Sequence, residues 1–355
     1  MKGKLLFLCT SHFDLYKIFQ HAFERYSGCD VTTILYRNYR YRNKMEKMLN
    51  FFSKTVFGKD LRKIWASAES ISRIPETERY DYAFVICPEL FHPEHLRHVL
   101  NKAKHSIAYY WDGFDHFPAY LQTMEYFDSR YSFDPIDAER YDLKFTPNFY
   151  SYEDRTTAHE YDVYFLGSYD ESRLATILQI VSLLERQNQR VVIKLLPIGK
   201  ATTAKNLPSA ITFIDHFIPS REAAEQMKKS RIILDIQNPI QHGLTFRVFE
   251  AMGLGKKLIT TNADIVNYDF YNPNNIFIWN QSTRSIPDEF FTSPYQELSE
   301  TIFRKYSREH WVKTVLGLPG GAEHSPARTL DPAPANDALN RAGRQPADCH
   351  PSVGP

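Results

Sequence analysis

Four carboxylates, three histidines and four arginine or hydroxyl positions stand at places in this 355-residue chain where chemistry is possible. Tyr110-Trp111-Asp112-Gly113-Phe114-Asp115-His116 follows an apolar run and puts two carboxylates, a histidine and a glycine on one loop. Acidic, aromatic loops suit sugars, whose hydroxyls want bidentate acceptors and whose C–H faces stack on rings. A carboxylate or imidazole in such a loop is placed to take the proton of a sugar hydroxyl. Asp112 and Asp115 are the first candidates, followed by His116, Glu89 and His12; a simple turn at Asp112-Gly113 is the plain alternative. His12 lies after the first strand-like run, at the edge where open α/β sheets place ligands. A loop histidine is also commonly a surface or capping residue.

A second constellation lies in Asn238–Asn262, which reads as loop, short helix, tight turn and strand. Thr245 is placed to cap the helix, Phe246, Val248, Phe249 and Met252 form its apolar face, and Gly253 and Gly255 end it. Arg247 falls in the first turn, where the helix dipole is already positive, so an anion is expected in front of it. Glu250, three residues on, is placed to accept two hydrogen bonds from a ribose diol. Phosphate plus ribose points to a nucleotide. The alternative is an ordinary surface pair, Arg247 with Glu250, worth a few tenths of a kcal/mol.

These elements need a scaffold. Lys4–Cys9, Val31–Tyr36, Tyr82–Cys87 and His105–Tyr110 are strand-like runs separated by helical patterns, which predicts a parallel α/β sheet. The first turn lacks Gly-x-Gly-x-x-Gly, so this half does not read as a dinucleotide-binding domain. Residues 148–160 are polar and read as a linker. Tyr161–Gly167 opens a second sheet, with Gly167 and Ser168 as a loop that lets backbone approach a ligand, and Arg173 opens the next helix as a further phosphate contact or an exposed cation. Strands at 191–196, 211–214, 232–236, 257–261 and 275–279 follow, and 295–315 reads as a final helical region.

The order His242-Gly243-Leu244-Thr245-Phe246-Arg247-Val248-Phe249-Glu250-Ala251-Met252-Gly253 resembles the donor-binding segment of glycosyltransferases of the GT-B fold. The phrases FDSRYSFDPIDAERYDLKFTPNFY and KKLITTNADIVNYDFYNPNNIFIW resemble the lipopolysaccharide and capsular polysaccharide branch, over roughly residues 2–316. The resemblance implies two Rossmann-like domains facing across a cleft, at 1–150 on the acceptor side and 151–316 on the nucleotide-sugar side, with a C-terminal helix crossing back to the first. It implies a ribose contact at Glu250 and donor contacts from Gly243, Thr245, Arg247, Gly167 and Ser168. His242 stands where many relatives carry a second glutamate and Arg247 where proline is common, which leaves open whether configuration is inverted or retained. The implied activity is transfer from a nucleotide sugar to a lipid-linked or oligosaccharide acceptor. A nucleotide-sugar epimerase and a non-catalytic nucleotide-sugar-binding assembly protein share the layout.

Composition bounds the partners. A net charge of +1 argues against a globally electrostatic nucleic-acid binder. Asp-x-Asp, a common metal-nucleotide signature, is absent; no metal and no cofactor are expected. Cys9, Cys29, Cys87 and Cys349 have no metal-type spacing and read as reduced residues of a cytoplasmic protein. Residues 37–65 carry nine Lys and Arg against Glu46 and Asp60, with Met45, Met48, Leu49, Phe52 and Val56 at helical spacing. That pattern suits anionic lipid at the inner face of the plasma membrane or a lipid-pyrophosphate acceptor, or else a helix whose apolar stripe packs on the sheet while its charges are solvated. Residues 317–355 hold seven of the 20 prolines and no Phe, Tyr, Trp, Ile, Met or Lys. Such a segment is expected to be a disordered tail.

Overall fold

A computed structural model describes residues 2–11, 14–155, 159–197, 204, 206–238, 241–322 and 324. The candidate His12, Cys349 and most of the expected tail lie outside them. The described residues form two compact units: Met1–Phe149, Pro239–Leu244 and Arg304–Ser325 supply the first, Tyr150–Asn238 and Thr245–Phe303 the second.

In the first unit the order is β1 (Gly3–Thr10), α1 (Leu15–Tyr26), β2 (Cys29–Tyr36), α2 (Lys44–Phe57), α3 (Leu61–Ile71), β3 (Tyr80–Ile86), α4 (Pro93–Leu100), β4 (Ala103–Tyr110), β5 (Ser129–Ser132), α5 (Pro135–Arg140) and β6 (Lys144–Phe145). The sheet order is β2-β1-β3-β4-β5-β6, all parallel. Leu5 to Cys9 are buried without interruption, as a strand covered on both faces must be. The second unit runs β7 (Tyr161–Ser168), α6 (Glu171–Arg186), β8 (Val191–Leu196), β9 (Ile211–Phe213), α7 (Ser220–Lys228), β10 (Ser230–Asp235), α8 (Phe246–Gly253), β11 (Lys257–Thr260), β12 (Ile276–Ile278), α9 (Asp288–Thr292) and α10 (Glu300–Lys305). Its sheet order is β12-β11-β10-β7-β8-β9, again parallel. The fold is therefore the expected pair of Rossmann-like α/β units.

Several local expectations are corrected. The basic stretch 37–65 is two helices: Gly58, at φ 64°, ends α2, and Asp60 caps α3 by accepting from the Lys63 amide. The helical region expected at 295–315 consists of α10 and α11 (Arg308–Val315). Ser307 lies between them, its hydroxyl accepting from the His310 amide as the cap of α11. The expected linker begins in a core, with Phe149, Tyr150 and Ser151 all buried. Residues 317–322 and 324, assigned to the tail, are ordered: Thr314 donates its hydroxyl to the Ala322 carbonyl at 3.1 Å, and His324 is buried beside Tyr306 and His310.

The helix α11 belongs to the first unit, as the crossover predicts. Trp311 is 2% exposed and packs its indole against Phe19, Phe23, Phe84, Tyr109 and Phe149 at centroid separations of 4.9 to 6.1 Å. Tyr131 fastens the same helix by donating to the Thr314 carbonyl at 3.2 Å. Trp311→Ala should cost about 3 to 5 kcal/mol in urea unfolding, because the cluster around the indole cannot close over the void.

Candidate functional site

Each sheet carries a desolvated polar cluster at the carboxyl ends of its central strands, the edge at which open α/β sheets bind ligands. In the second unit the hub is Asp235, the last residue of β10, 1% exposed. Parallel register sets it beside Thr260 of β11. The Thr260 hydroxyl donates to Asp235 Oδ2 at 2.9 Å, and the Thr245 hydroxyl and Arg247 Nη1 donate to Oδ1 at 2.8 and 3.0 Å. Arg247 Nη2 donates to the Leu166 carbonyl at 2.7 Å, and its guanidinium lies over the Phe165 ring at 4.7 Å. The anion expected before Arg247 is thus supplied by the protein itself. Thr245 occupies the cap position of α8, but its hydroxyl serves Asp235 instead of a helix amide. No ion pair joins Arg247 to Glu250 among the described residues, so the surface-pair alternative falls.

Gly167 and Ser168 are strand residues, paired with Leu195 and Leu196, and not the expected loop. A Cβ on Gly167 would lie 2.8 Å from the Phe165 ring, so glycine here makes room for the ring beneath Arg247. Arg173 is not an exposed cation: it is 17% exposed and donates to the Ser168 carbonyl at 3.1 Å and the Ile236 carbonyl at 3.4 Å. Burial lowers its pKa, with Asp170 opposing and Arg247 adding to the effect. Glu250 is half-buried and its carboxyl has no hydrogen bond or ion pair among the described residues. Burial raises its pKa to about 7 against the pull of Arg247. A carboxylate that is desolvated and left without a protein donor is poised for a ligand that brings donors.

The first unit places Asp112 just after β4, where Gln241 Nε2 donates to Oδ1 at 2.8 Å. Burial raises Asp112 to about 7, Gln241 opposing. Sequence reading ranked Glu89 lower, yet it is the more perturbed: burial raises it to about 8, the Asp112 charge adding and Lys63 opposing. Glu89 Oε2 and the hydroxyls of Tyr110 and Tyr120 are buried without hydrogen-bond partners. Cys87, at φ 59°, turns the chain from β3 into the short 3-10 turn Pro88–Leu90 that carries Glu89. The signal was an acid directly after a buried apolar strand, in Cys87-Pro88-Glu89. Asp115 is set apart from this cluster, exposed and paired with Arg140 at 3.0 Å. The His116 ring meets Phe117 edge-on at 4.5 Å, and its amide donates to the Gly113 carbonyl, so Gly113 does form a turn.

His242 and Gly243 belong to the first unit. Both amides donate to Asp134 Oδ2, at 2.8 and 3.0 Å, while Asp134 Oδ1 accepts from Ile136 and Asp137 at the start of α5. One carboxylate thereby holds four amides at 2% exposure. A Cβ on Gly243 would sit 2.6 Å from the Phe133 carbonyl oxygen, which is why glycine stands there.

No family model matches the chain, and no curated protein matches it. Solved structures that align with it include the glycotransferase of kitacinnamycin, 12% identical with a TM-score of 0.38, covering 90% of this chain and 96% of that one. The glycosyltransferase SnogD from Streptomyces nogalater is 12% identical with a TM-score of 0.44, at 89% and 96% coverage. A glycosyltransferase from Rickettsia africae is 10% identical with a TM-score of 0.48, at 89% and 94%.

Arg247→Ala should lower stability by about 3 kcal/mol, because Asp235 is left charged, buried and short of its cation. Thermal and urea unfolding measure it. Glu250→Gln should do the reverse. With a folded pKa near 7 against the ordinary 4.5, Glu250 holds its proton more tightly in the folded state. Its contribution is therefore fully favourable below about pH 4.5 and is lost as pH rises through 7. Glu250→Gln should gain on wild type over that window, by on the order of 1 to 3 kcal/mol at pH 8, with no gain near pH 4. Urea unfolding at the two pH values checks it.

Proposed function

We propose that this chain is a GT-B glycosyltransferase that moves a sugar from a nucleotide-sugar donor to a growing cell-surface glycan, lipopolysaccharide or capsule, carried on a lipid or an oligosaccharide. The observation that carries the reading is Glu250: a desolvated carboxylate without a protein donor, three residues beyond Arg247 on a helix that opens at a sheet's carboxyl edge. A ribose diol brings the two donors that the carboxylate lacks. The donor pyrophosphate is met by the positive amino end of the α8 dipole, with Arg247 and Arg173 held close behind it. Both arginines are committed to protein acceptors, so they act as fixed positive charge with no reorganisation to undergo when a phosphate arrives. The sequence resemblance supports the same assignment. It places the nucleotide on this segment.

In the transfer step the acceptor oxygen attacks the anomeric carbon, the bond from that carbon to the diphosphate breaks, and the hydroxyl proton passes to a base. Asp112 and Glu89 supply that base. Burial raises both carboxyls, and the Asp112 charge raises Glu89 further, so both titrate near neutral pH, where a base works best. No metal ion is assigned a role, and pyrophosphate charge is met by helix and guanidinium.

Glu250→Ala should weaken nucleoside diphosphate binding by roughly 1.5 to 3 kcal/mol, ten- to hundredfold, in isothermal titration. Asp112→Asn and Glu89→Gln should keep donor affinity and lose transfer. A screen of nucleotide sugars by thermal shift identifies the donor. Wild-type diphosphate affinity in Glu250→Ala overturns the donor assignment, and product formed without any acceptor turns it toward an epimerase.

A further inference from the structure

Helix α2 is built inside out. Its two buried residues are polar, Asn50 and Ser53, and its large apolar residues face solvent. The orientation is fixed by bonds, since Asn50 Nδ2 donates to the Tyr41 hydroxyl at 2.7 Å, Asn50 Oδ1 accepts from the Arg62 amide at 3.2 Å, and the Ser53 hydroxyl donates to the Lys59 carbonyl at 2.9 Å. Met45, Met48, Leu49, Phe52 and Val56 recur at helical spacing on the outward face, and Phe51 beside them is 72% exposed. Seven of the nine exposed large hydrophobic residues among those described lie on this one helix, which marks an interaction surface and not scattered exposure. The expectation that this stripe packs on the sheet is corrected.

The charge around the stripe has one sign. Lys44 and Lys47 are exposed on α2, Arg40 and Arg42 just before it, and Lys54 is exposed with Asp60 at 2.7 Å. The helix's single acid, Glu46, is turned away: it accepts from the Arg42 amide at 2.8 Å and the Tyr39 hydroxyl at 3.2 Å. No described helix is long and apolar enough to cross a membrane, and α2 has 14 residues. A short helix with an apolar stripe edged by cations lies in the plane of an interface. A second copy of this chain is a poorer occupant, because a twofold contact through α2 would set these cations against their own counterparts.

We propose that α2 is a docking surface for an anionic lipid bilayer, its Met45, Met48, Phe51 and Phe52 entering the acyl boundary while Arg40, Lys44 and Lys47 meet the headgroups. The inference stands on α2 alone, whatever the transferred group.

Flotation of the full chain with vesicles tests it. The chain should rise with phosphatidylglycerol–phosphatidylcholine vesicles, stay down with phosphatidylcholine alone, and be released by salt. Changing Arg40, Lys44 and Lys47 together to Gln should weaken partitioning about a hundredfold, about 1 kcal/mol for each cation. Changing Met48 and Phe52 to Gln should also weaken it at least tenfold, with an unaltered melting temperature, because both side chains are already exposed. The proposal is overturned if wild type fails to float, if the Met48 and Phe52 changes leave flotation intact, or if sedimentation shows a dimer that those changes dissolve.

Discussion

A buried carboxylate with three donors holds the second unit's ligand edge in place. Asp235 ends β10 in a position where its charge has no water, so every neighbour able to donate is drawn to it: Thr260 from the adjacent strand, Thr245 and Arg247 from α8. The start of α8 is therefore pinned to the sheet through one residue, and Arg247 is pinned twice, through Asp235 and the Leu166 carbonyl. The cost of burying such a charge is met only while the set is complete. A loosened α8 would take Glu250 with it. This is how an ion pair that contributes little net stability still fixes geometry.

The two units solve the same problem with opposite chemistry. At the second sheet edge the charges are balanced, two arginines against Asp235 and Asp170, and only Glu250 is left over. At the first, burial is what raises Asp112 and Glu89, opposed by Gln241 at the one and by Lys63 at the other, and it leaves two carboxyls that keep their protons toward neutral pH. Compensated charge gives rigidity. Uncompensated burial gives a group ready to exchange a proton.

Much of the layered architecture was legible because parallel strands buried on both faces must be continuous apolar runs, as in Leu5–Cys9 and Ile232–Leu234. The helix bearing Glu250 was legible through its glycine stop and apolar face. What escaped was set by partners distant in sequence. The anion before Arg247 lies twelve positions upstream, the amides of His242 and Gly243 are held by Asp134, and nothing local told that Asn50 and Ser53 would be the buried face of α2. Glu89 was ranked behind Asp112 and Asp115 because burial, and not its neighbours in sequence, is what perturbs it.

The placement of Trp311 bears on how the chain is made. The aromatic surface formed by Phe19, Phe23, Phe84, Tyr109 and Phe149 emerges from the ribosome about 160 residues before the indole that covers it. At about 5 to 20 residues per second, that interval is on the order of ten to thirty seconds. Through that time the nascent first sheet presents an uncovered aromatic face, and its closure waits on a helix translated after the whole of the second sheet. Vectorial synthesis thus builds the second sheet while the first is still unfinished, which makes the newborn chain a client for whatever shields apolar surface near the exit tunnel.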